Sequence, residues 1–547
     1  MFTAGGITVI VGTPTYAIPT WLARKYPEVL VETPGGRRLY GPRQNMDITN
    51  SVFKRYAERV IRKLVEHVRD QPAVIGYQVD NETKSYQTSG AEVQKGFVEY
   101  VKRRFPDLKV LNQAWGLDYW SSRINTWEDF PNVNGAVNAS ITSSFAAYQR
   151  SLVTDYLAWQ AKMVRELKRP DQFITHNFDL DWRGYSFGIQ QDVDHFAAAK
   201  ALDIAGIDIY HPTQDHLTGT EIALGGDLAR SMLGGKNYLV IETEAQGFPE
   251  WTPYPGQLRL QAYSHLASGA RMVSYWHWAT THNNVETYWR GLLSQDYEPN
   301  ETYREAVQIG SEFARLGDEL AGLEKSNQVA VYFSNNAQTA FNAFRFGWGS
   351  KLAYNDVFRP FYDALYRMNI EADLVDPSTK DLARYRMIVV PALYAASEAE
   401  ITAFREYVRG GGHLVLSFKT GFSDENVKVR TGLQPGGLAD IVGASYSQFV
   451  IPEGIKDARW WAELLKPAGA EVLEKYDHQV WGRYAALTRN RFGKGEATYV
   501  GYMPSDAGIE KVLRDVAVRA GVTHPEAGFP SIIRSGVNSK GRSLHYF

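Results

Sequence analysis

The sequence predicts an α/β protein of two successive modules, in which short apolar strands alternate with helices. Three observations lead to this fold class. A chain of 547 residues is too long for one ordinary hydrophobic core and predicts two or three domains. Six apolar runs alternate with amphipathic stretches in residues 1–322. The alternation then starts again with a different spacing after a polar break at residues 321–328.

The first module contains six predicted strands, and each is an almost continuous apolar run. Such runs are typical of a parallel sheet that helices cover on both faces. Helices are predicted at residues 51–70 and 143–168. An open six-stranded sheet is one solution, and a (β/α) barrel lacking its first two β/α units is the other. The predicted strands are "ITVIVGTP" (7–14), "VIGYQVDN" (74–81), "QFITHNF" (172–178), "LDIAGIDIY" (202–210), "NYLVIET" (237–243) and "ARMVSYWHW" (270–278).

The second module has the pattern of a doubly wound α/β domain. Helices are predicted at 355–368 and 397–410, and a last segment at 531–547 is predicted to be a hairpin that begins a small β domain. The predicted domain limits are therefore 1–322, 327–526 and 530–547. The predicted strands of the second module are "VAVYFS" (329–334), "ADLVD" (372–376), "RMIVVPAL" (386–393), "HLVLSF" (413–418) and "ATYVGY" (497–502).

The composition excludes several classes of function. A formal net charge of −2 offers no electrostatic basis for binding nucleic acid or an anionic membrane. The absence of cysteine excludes disulfides, thiol nucleophiles and cysteine-ligated zinc. No apolar run is long enough to predict a transmembrane helix. Aromatic residues make up 13% of the chain, which indicates either a large aromatic core or a sugar-binding cleft, since sugar C–H faces pack on rings.

Two of the predicted strands end in glutamate, and this pair carries the functional prediction. Glu82 follows "YQVDN" and Glu242 follows "YLVI". In a β/α barrel, side chains at the carboxyl ends of strands point into the active site. Two facing carboxylates are the apparatus of glycosidic-bond hydrolysis. A Mg²⁺ site is the rival interpretation, but His176 and His211 lie at other strand ends without the spacing of metal ligands.

Several motifs in order resemble the glycoside hydrolase family 42 β-galactosidases, almost from end to end of the chain. They are "VGTPTYAIPTWLARKYPEVL", "GYQVDNE", "LNQAWGLDYWSSRINTWEDF", "FITHNF" and "GKNYLVIETEAQGFPEWTPYPGQLRLQAYSHLASGARMVSYWHW". The resemblance implies a TIM barrel, then an α/β trimerisation domain and a small β domain. The family carries its acid/base on barrel strand 4 and its nucleophile on strand 7. Glu82 and Glu242 end the second and fifth predicted strands, so we expect two β/α units to be absent at the front and the β domain to be incomplete.

The resemblance also implies roles for individual residues. Glu82 matches the acid/base, and its neighbour Asn81 is expected to hydrogen-bond the sugar 2-OH. Glu242 matches the nucleophile, although Glu244, two residues further on the same strand, is a competitor. Arg43 in "YGPRQNM" matches an arginine that contacts sugar hydroxyls. Family members often carry cysteine zinc ligands near this loop, and this chain has none, so we expect no metal.

Aromatic and acidic residues complete the implied substrate site. Trp251 matches an aromatic residue that stacks on the substrate, and one of Trp276 and Trp278 is expected to line the pocket. Glu286 in "NNVETYWRGLL" resembles the glutamate of the E-x-x-H-x-G-L pattern that binds galactose hydroxyls. Trp289 stands where that pattern has histidine, which puts recognition of the axial 4-OH in question.

The sequence thus predicts a retaining β-D-galactosidase that acts on small β-galactosides without a cofactor. Related activities, α-L-arabinopyranosidase or β-fucosidase, remain open, as does a catalytically inactive remnant with a sugar-binding or oligomerising role. Asn177 and Tyr210, at the ends of intervening strands, are weaker site candidates. The resemblance implies a homotrimer, and the lack of a visible signal peptide favours the cytoplasm.

Overall fold

The structure is a computed structural model that describes residues 5–41, 43–183, 186–247, 252–283, 285–347, 349–523 and 529–547. The chain divides into two compact units that do not follow chain order. The first unit comprises Met1–Val93, Gln149–Ser326 and Ile533–Phe547, and the second comprises Gln94–Tyr148 and Asn327–Ile532. The domain limits predicted from the sequence stay a prediction.

The α-helices alternate with the strands along the chain. Three of the four predicted helices agree with the structure to within a residue or two at each end, and the one predicted at 143–168 begins four residues earlier. The helices are α1 Thr20–Lys25, α2 Ser51–Val68, α3 Ala91–Arg104, α4 Leu108–Trp115, α5 Ala139–Leu167, α6 His195–Ala199, α7 Thr220–Met232, α8 Gln257–Ala267, α9 Glu301–Leu320, α10 Asn335–Ala343, α11 Tyr354–Arg367, α12 Glu398–Gly410, α13 Ala439–Val442 and α14 Asp506–Arg519.

The strands of three or more residues include every predicted one. They are β1 Val9–Gly12, β2 Val74–Gln78, β3 Phe173–Thr175, β4 Gly206–Asp208, β5 Tyr238–Glu244, β6 Ala270–Trp276, β7 Val329–Tyr332, β8 Ala372–Val375, β9 Met387–Val390, β10 His413–Ser417, β11 Ala458–Glu463, β12 Glu471–Lys475, β13 Ala485–Phe492, β14 Gly495–Val500, β15 Tyr502–Pro504, β16 Arg534–Val537 and β17 Ser543–Tyr546.

Strands β1 to β6 of the first unit run parallel and follow one another in chain order. Strands β1, β2 and β3 pair with one another. After His176 the chain continues as a two-residue strand, Asn177–Phe178, which pairs with β4, and β4, β5 and β6 follow. Fully buried side chains such as Tyr77, Ile174 and Val240 form the core of the first unit. The predicted parallel arrangement is confirmed.

A closed barrel is not seen in the described ranges, because no ladder joins β6 back to β1 there. Strands β1 to β3 form one sheet, and β4 to β6 form a second sheet together with the two-residue strand Asn177–Phe178. That the strands belong to a barrel without its first two β/α units stays a prediction.

The second unit contains a seven-stranded sheet in the order β8-β7-β9-β10-β14-β13-β12. The first five strands are parallel, which confirms the doubly wound prediction. The antiparallel strands β12 and β13 were not predicted. Polar residues interrupt the apolar pattern of β13, but the two-residue Gly493–Lys494 connection to β14, with Gly493 at φ 64°, was a hairpin signal.

The last predicted element is confirmed as a hairpin. Strands β16 and β17 pair antiparallel, with Arg534 opposite Tyr546. The hairpin belongs to the first unit, where a bridge joins Val537 to Glu324.

Candidate active site

Glu82 lies in the turn after β2. The backbone of this turn is strained, and the buried carboxylate of Asp80 stabilises it. Asp80 and Glu82 have φ values of 52° and 42°, a region that non-glycine residues rarely adopt. The Asp80 carboxylate accepts hydrogen bonds from the hydroxyls of Thr15, at 2.5 Å, and Thr83. Its backbone N–H donates to Thr13 Oγ1 at 2.7 Å. Burial raises the pKa of Asp80, and the two hydroxyl bonds oppose that rise. Asp80 therefore stabilises the turn, which leaves Glu82 as the carboxylate available for chemistry.

Glu82 lies in an ion pair with Arg43. Nη2 of Arg43 is 3.1 Å from Oε2 of Glu82 and 3.9 Å from Oε1 of Glu286. Nδ2 of Asn81 is 3.5 Å from the same Glu82 oxygen. Burial lowers the pKa of Arg43, but the carboxylates of Glu82, Glu286 and Glu242 raise it further than burial lowers it. Four of the predicted site residues are therefore together.

Asn177 connects the two predicted catalytic strands. Its Oδ1 accepts from the backbone N–H of Glu82 at 3.2 Å. Its Nδ2 lies 2.9 Å from Asn81 Oδ1, 2.8 Å from Asp208 Oδ2 and 3.3 Å from Glu242 Oε1. One fully buried amide thus contacts residues at the carboxyl ends of β2, β4 and β5, because parallel strands bring these ends to one edge.

Glu242 is a half-buried carboxylate with one short hydrogen bond. Tyr210 donates its hydroxyl to Oε2 of Glu242 at 2.7 Å. Burial and the nearby Glu82 charge raise the pKa of Glu242 to about 7. The Tyr210 hydroxyl and the Arg43 guanidinium act in the opposite direction and favour the ionised form.

The structure separates Glu242 from its competitor Glu244. The Glu244 side chain is fully buried, and its Oε1 lies 2.9 Å from Nδ1 of His211. It also accepts the backbone N–H of His211 at 3.2 Å. Glu242, in contrast, contacts Asn177 and Tyr210. The geometry therefore favours Glu242 as the partner of Glu82.

The predicted tryptophans occupy different surroundings. Trp276 ends β6 and is half-buried. It stacks on His277, with ring centroids 5.1 Å apart. Trp278 is 62% exposed and packs edge-on against Tyr303 of α9. Trp289 packs edge-on against Tyr210, with ring centroids 5.1 Å apart. Trp251 lies outside the described residues.

Two site features went unpredicted. Asp208 is a polar residue inside the apolar run "IAGIDIY", which was a readable signal, and its side chain is buried beside Asn177. Burial, followed by the charges of Glu242 and Glu82, raises the pKa of Asp208 well above its usual range. Trp182, whose ring lies 5.6 Å from that of Tyr210, is the second feature. Nothing in its local sequence indicates this contact.

The described residues contain no group of three or more His, Asp or Glu placed to hold a metal ion. His176 is fully buried and its Nδ1 lies 2.7 Å from the Val79 carbonyl oxygen, while burial lowers its pKa to about 4. His211 pairs with Glu244 instead. No helix in the described part of the chain is long and apolar enough to cross a membrane.

Comparisons with known proteins agree with this geometry. The glycoside hydrolase family 42 model, described as beta-galactosidase, matches residues 1–316. A second model, described as beta-galactosidase trimerisation domain, matches residues 327–523. The chain is 28% identical over 534 residues to the β-galactosidase bgaB of Geobacillus kaustophilus, covering 93% of this chain and 77% of that protein.

Solved structures show the same fold. A crystal structure of the β-galactosidase from Bacillus circulans sp. alkalophilus has a TM-score of 0.90 at 24% identity, covering 99% of this chain and 83% of that one. The β-galactosidase from the Antarctic haloarchaeon Halorubrum lacusprofundi has a TM-score of 0.88 at 28% identity, covering 98% and 83%. These likenesses imply a TIM-barrel catalytic domain with additional domains. The chain belongs to glycoside hydrolase family 42, the β-galactosidases.

Proposed function

We propose that this chain hydrolyses terminal β-D-galactosides with retention of the anomeric configuration, by double displacement between Glu82 and Glu242. The observation that carries this mechanism is the Asn177 side chain, which contacts Glu242 directly and the backbone of Glu82. Family membership supports the substrate class. The inactive-remnant alternative is not favoured by these likenesses.

In the first step, the ionised carboxylate of Glu242 attacks the anomeric carbon while the protonated carboxyl of Glu82 gives its proton to the leaving oxygen. A covalent galactosyl ester forms and the aglycone departs as an alcohol. In the second step, Glu82 removes a proton from water, and the water oxygen displaces Glu242 from the anomeric carbon. The two inversions give net retention, and both carboxyl groups return to their starting states.

We assign the surrounding residues to substrate binding. Arg43, which lies against both Glu82 and Glu286, would contact sugar hydroxyls, and Asn81 would hydrogen-bond the 2-OH. Glu286 would accept hydrogen bonds from the sugar. Trp289 forms one wall of the site through its contact with Tyr210.

Of the two tryptophans at the end of β6, we favour Trp276, because the exposed Trp278 packs on Tyr303 of α9. We keep Trp251 as a substrate-stacking candidate on the family resemblance alone. A ring in that role would pack on the C–H face of the sugar.

Azide rescue tests the two catalytic assignments separately. With a nitrophenyl β-galactoside, Glu82→Ala should still form the galactosyl ester, because the leaving group needs no protonation. Azide should then give β-galactosyl azide. In Glu242→Ala azide itself should displace the leaving group and give α-galactosyl azide. Each substitution alone should lower kcat by about 10³-fold or more.

Glu244→Gln is the matched control for these assignments, since it changes the neighbouring carboxylate on the same strand. Formation of α-galactosyl azide by a Glu244 variant, or an unchanged rate in Glu242→Ala, would contradict the mechanism. No hydrolysis of any β-galactoside by the folded wild-type chain would contradict the function itself.

The presence of Trp289 instead of histidine leaves the substrate range to be measured. Galactose, L-arabinopyranose and D-fucose share ring stereochemistry, so nitrophenyl glycosides of all three should be compared by kcat/KM. We expect the β-D-galactoside to be preferred. A higher value for the α-L-arabinopyranoside or the β-D-fucoside would overturn that expectation.

We further propose that the chain assembles as a homotrimer and that β1 to β6 correspond to strands three to eight of the family barrel. The match of residues 327–523 to a trimerisation domain supports the assembly. Three chains of 61.6 kDa would sediment as a particle of about 185 kDa. A monomer of 61.6 kDa would contradict it. A cytoplasmic location stays a prediction from the sequence.

A further inference from the structure

Glu244 is a buried carboxylate on β5 that the proposed chemistry does not use. It follows Glu242 by two residues, and its side chain is fully buried. Burying an ionised carboxylate costs several kcal/mol unless charged or hydrogen-bonding partners compensate it. The groups that contact the Glu244 carboxylate therefore indicate which part of the chain it positions.

Both Glu244 oxygens lie close to His211, whose Nδ1 also lies 3.0 Å from the Pro212 carbonyl oxygen. Oε1 lies 2.9 Å from Nδ1 of the imidazole, and Oε2 accepts the backbone N–H of the same residue at 3.2 Å. Thr243 Oγ1 donates to Oε2 at 3.3 Å. Burial lowers the pKa of His211, but Glu244, the Pro212 carbonyl and Glu221 together raise it by more. The two side chains thus form a buried pair, with His211 only 1% exposed.

The backbone bond from His211 to Glu244 extends a strand pairing that ends just before it. Strands β4 and β5 pair through residue 208 opposite residue 242, and Ile209 N–H donates to the Glu242 carbonyl at 2.9 Å. Beyond Ile209, the Glu244 carboxylate accepts the N–H of His211 in the position that a strand carbonyl would otherwise take. Since a buried N–H needs a partner, this bond fixes the path of the chain there.

Tyr210 lies between these two attachments. The ladder bond of Ile209 holds it on one side, and the Glu244 bonds to His211 hold it on the other. Its hydroxyl donates to Oε2 of Glu242 at 2.7 Å. We propose that Glu244 and His211 are positioning residues, which hold the backbone that carries Tyr210 and thereby orient the carboxylate of Glu242. The kinetic part of this inference rests on the function proposed above.

Substitution of Glu244 tests the positioning role. Glu244→Ala removes both contacts, so we expect kcat to fall by about 10- to 100-fold, because a small misplacement of a reacting group is costly. KM should change by less than about threefold, since the substrate does not touch Glu244. Glu244→Gln keeps an oxygen that can accept the His211 N–H, and it should recover most of the lost kcat.

A double-mutant cycle with Tyr210→Phe distinguishes positioning from a general structural role. If Glu244 acts through Tyr210, the double variant should be no slower than Tyr210→Phe alone. Multiplied losses in kcat would overturn the proposal. Glu463→Gln is the matched control, because Glu463 is a fully buried carboxylate of the second unit that accepts from Tyr499 at 2.7 Å. It should leave kcat unchanged.

A crystal structure of Glu244→Ala provides a readout that does not depend on activity. We expect the Tyr210 hydroxyl to move out of hydrogen-bond distance of Glu242. A retained 2.7 Å contact would overturn the inference whatever the kinetics show. If the wild type hydrolyses no β-galactoside, the proposed function fails while this structure still decides the positioning role. Should Glu244→Ala not fold, Glu244→Leu carries the same test, since it fills the space of the side chain but offers no acceptor to the His211 N–H.

Discussion

The hydroxyl of Tyr210 donates a 2.7 Å hydrogen bond to Oε2 of Glu242, the carboxylate to which we assign the nucleophilic role. A bond to the ionised form of an acid favours ionisation. This bond therefore opposes the burial and the Glu82 charge that together raise the pKa of Glu242 to about 7. In the proposed mechanism the rate depends on this balance, because only the ionised form of Glu242 can attack the anomeric carbon.

The first prediction concerns the pH dependence of Tyr210→Phe. In the wild type, kcat/KM should decline as the pH falls below about 7, because Glu242 becomes protonated. Loss of the Tyr210 bond raises the pKa of Glu242, so the acid limb should move to higher pH. At neutral pH the rate should fall by about tenfold, the equivalent of one hydrogen bond to a charged group.

Tyr263→Phe is the control, because Tyr263 donates to the carboxylate of Glu312 outside the site at 2.8 Å. Its pH profile should match that of the wild type. An acid limb of Tyr210→Phe that stays in place or moves to lower pH would show that Tyr210 does not tune Glu242.

The second prediction concerns the stability of Glu242→Gln. The pKa of Glu242 is raised from 4.5 to about 7 in the folded protein, so folding favours its protonated form. This contribution to stability is fully present below the unfolded value and is lost as the pH rises through 7. At pH 8 the neutral glutamine avoids a buried charge and should stabilise the protein by roughly 1 to 3 kcal/mol.

Calorimetric melting temperatures at pH 8 and pH 4.5 check this stability prediction. The advantage of Glu242→Gln should shrink towards zero at the lower pH. Glu312→Gln is a control of opposite sign, because hydrogen bonds from Gln308, Arg259 and Tyr263 lower the pKa of Glu312 to about 2. It should give no gain at pH 8. A Glu242→Gln variant that melts below the wild type at pH 8 would contradict the argument.

The third prediction concerns Arg43. Its guanidinium lies 3.1 Å from Glu82 and 3.9 Å from Glu286, and it lowers the pKa of Glu242. Arg43→Ala leaves these carboxylates facing one another, so kcat/KM should fall by about 100-fold or more and the acid limb should move to higher pH. Arg43→Lys keeps the positive charge, so it should return the acid limb of the pH profile to its wild-type position without restoring the full kcat/KM.

Steady-state kinetics with a chromogenic β-galactoside measure both effects of Arg43. Arg62→Ala is the control, since Arg62 forms ion pairs with Glu58 and Glu166 away from the site. It should behave as the wild type. An Arg43→Ala enzyme with an unchanged acid limb would refute the electrostatic role.

The fourth prediction concerns Trp289, which stands where the family pattern has histidine. An indole can only donate one hydrogen bond, whereas a neutral imidazole can both donate and accept. Trp289→His should therefore raise the ratio of kcat/KM for the nitrophenyl β-galactoside over the 4-epimeric β-glucoside, by about tenfold. Trp120→His, at a ring that is 77% exposed, should leave the ratio unchanged. A ratio that falls in Trp289→His would reject the assignment of this residue to 4-OH recognition.

The local pattern of the chain was sufficient to predict the parallel strands of both units and the residues at their ends. Apolar runs such as "VIGYQ" and "YLVIETE" cannot remain in water, so they become the buried strands β2 and β5. Glu82 and Glu242 were identified as site candidates because polar residues at the end of a buried strand must have partners. Motif resemblance then supplied the family.

The partners of those residues depend on contacts between distant parts of the chain. Asn177 reaches Asn81 and Glu242 across 96 and 65 residues of sequence, and no local pattern encodes such pairs. Their distances depend on the register of neighbouring strands. The Trp182 contact was missed for the same reason. The antiparallel strands β12 and β13 were missed although the Gly493–Lys494 connection was a hairpin signal.

The sequence by itself determined the parallel α/β architecture, the family and the two strand ends that carry Glu82 and Glu242, because burial and periodicity are local properties. Only the tertiary structure shows the different surroundings of Glu242 and Glu244. Both lie on β5, yet one contacts Asn177 and Tyr210 while the other faces His211. The physical reason is that the role of a carboxylate depends on the charges and donors around it, and the fold supplies those from elsewhere in the chain.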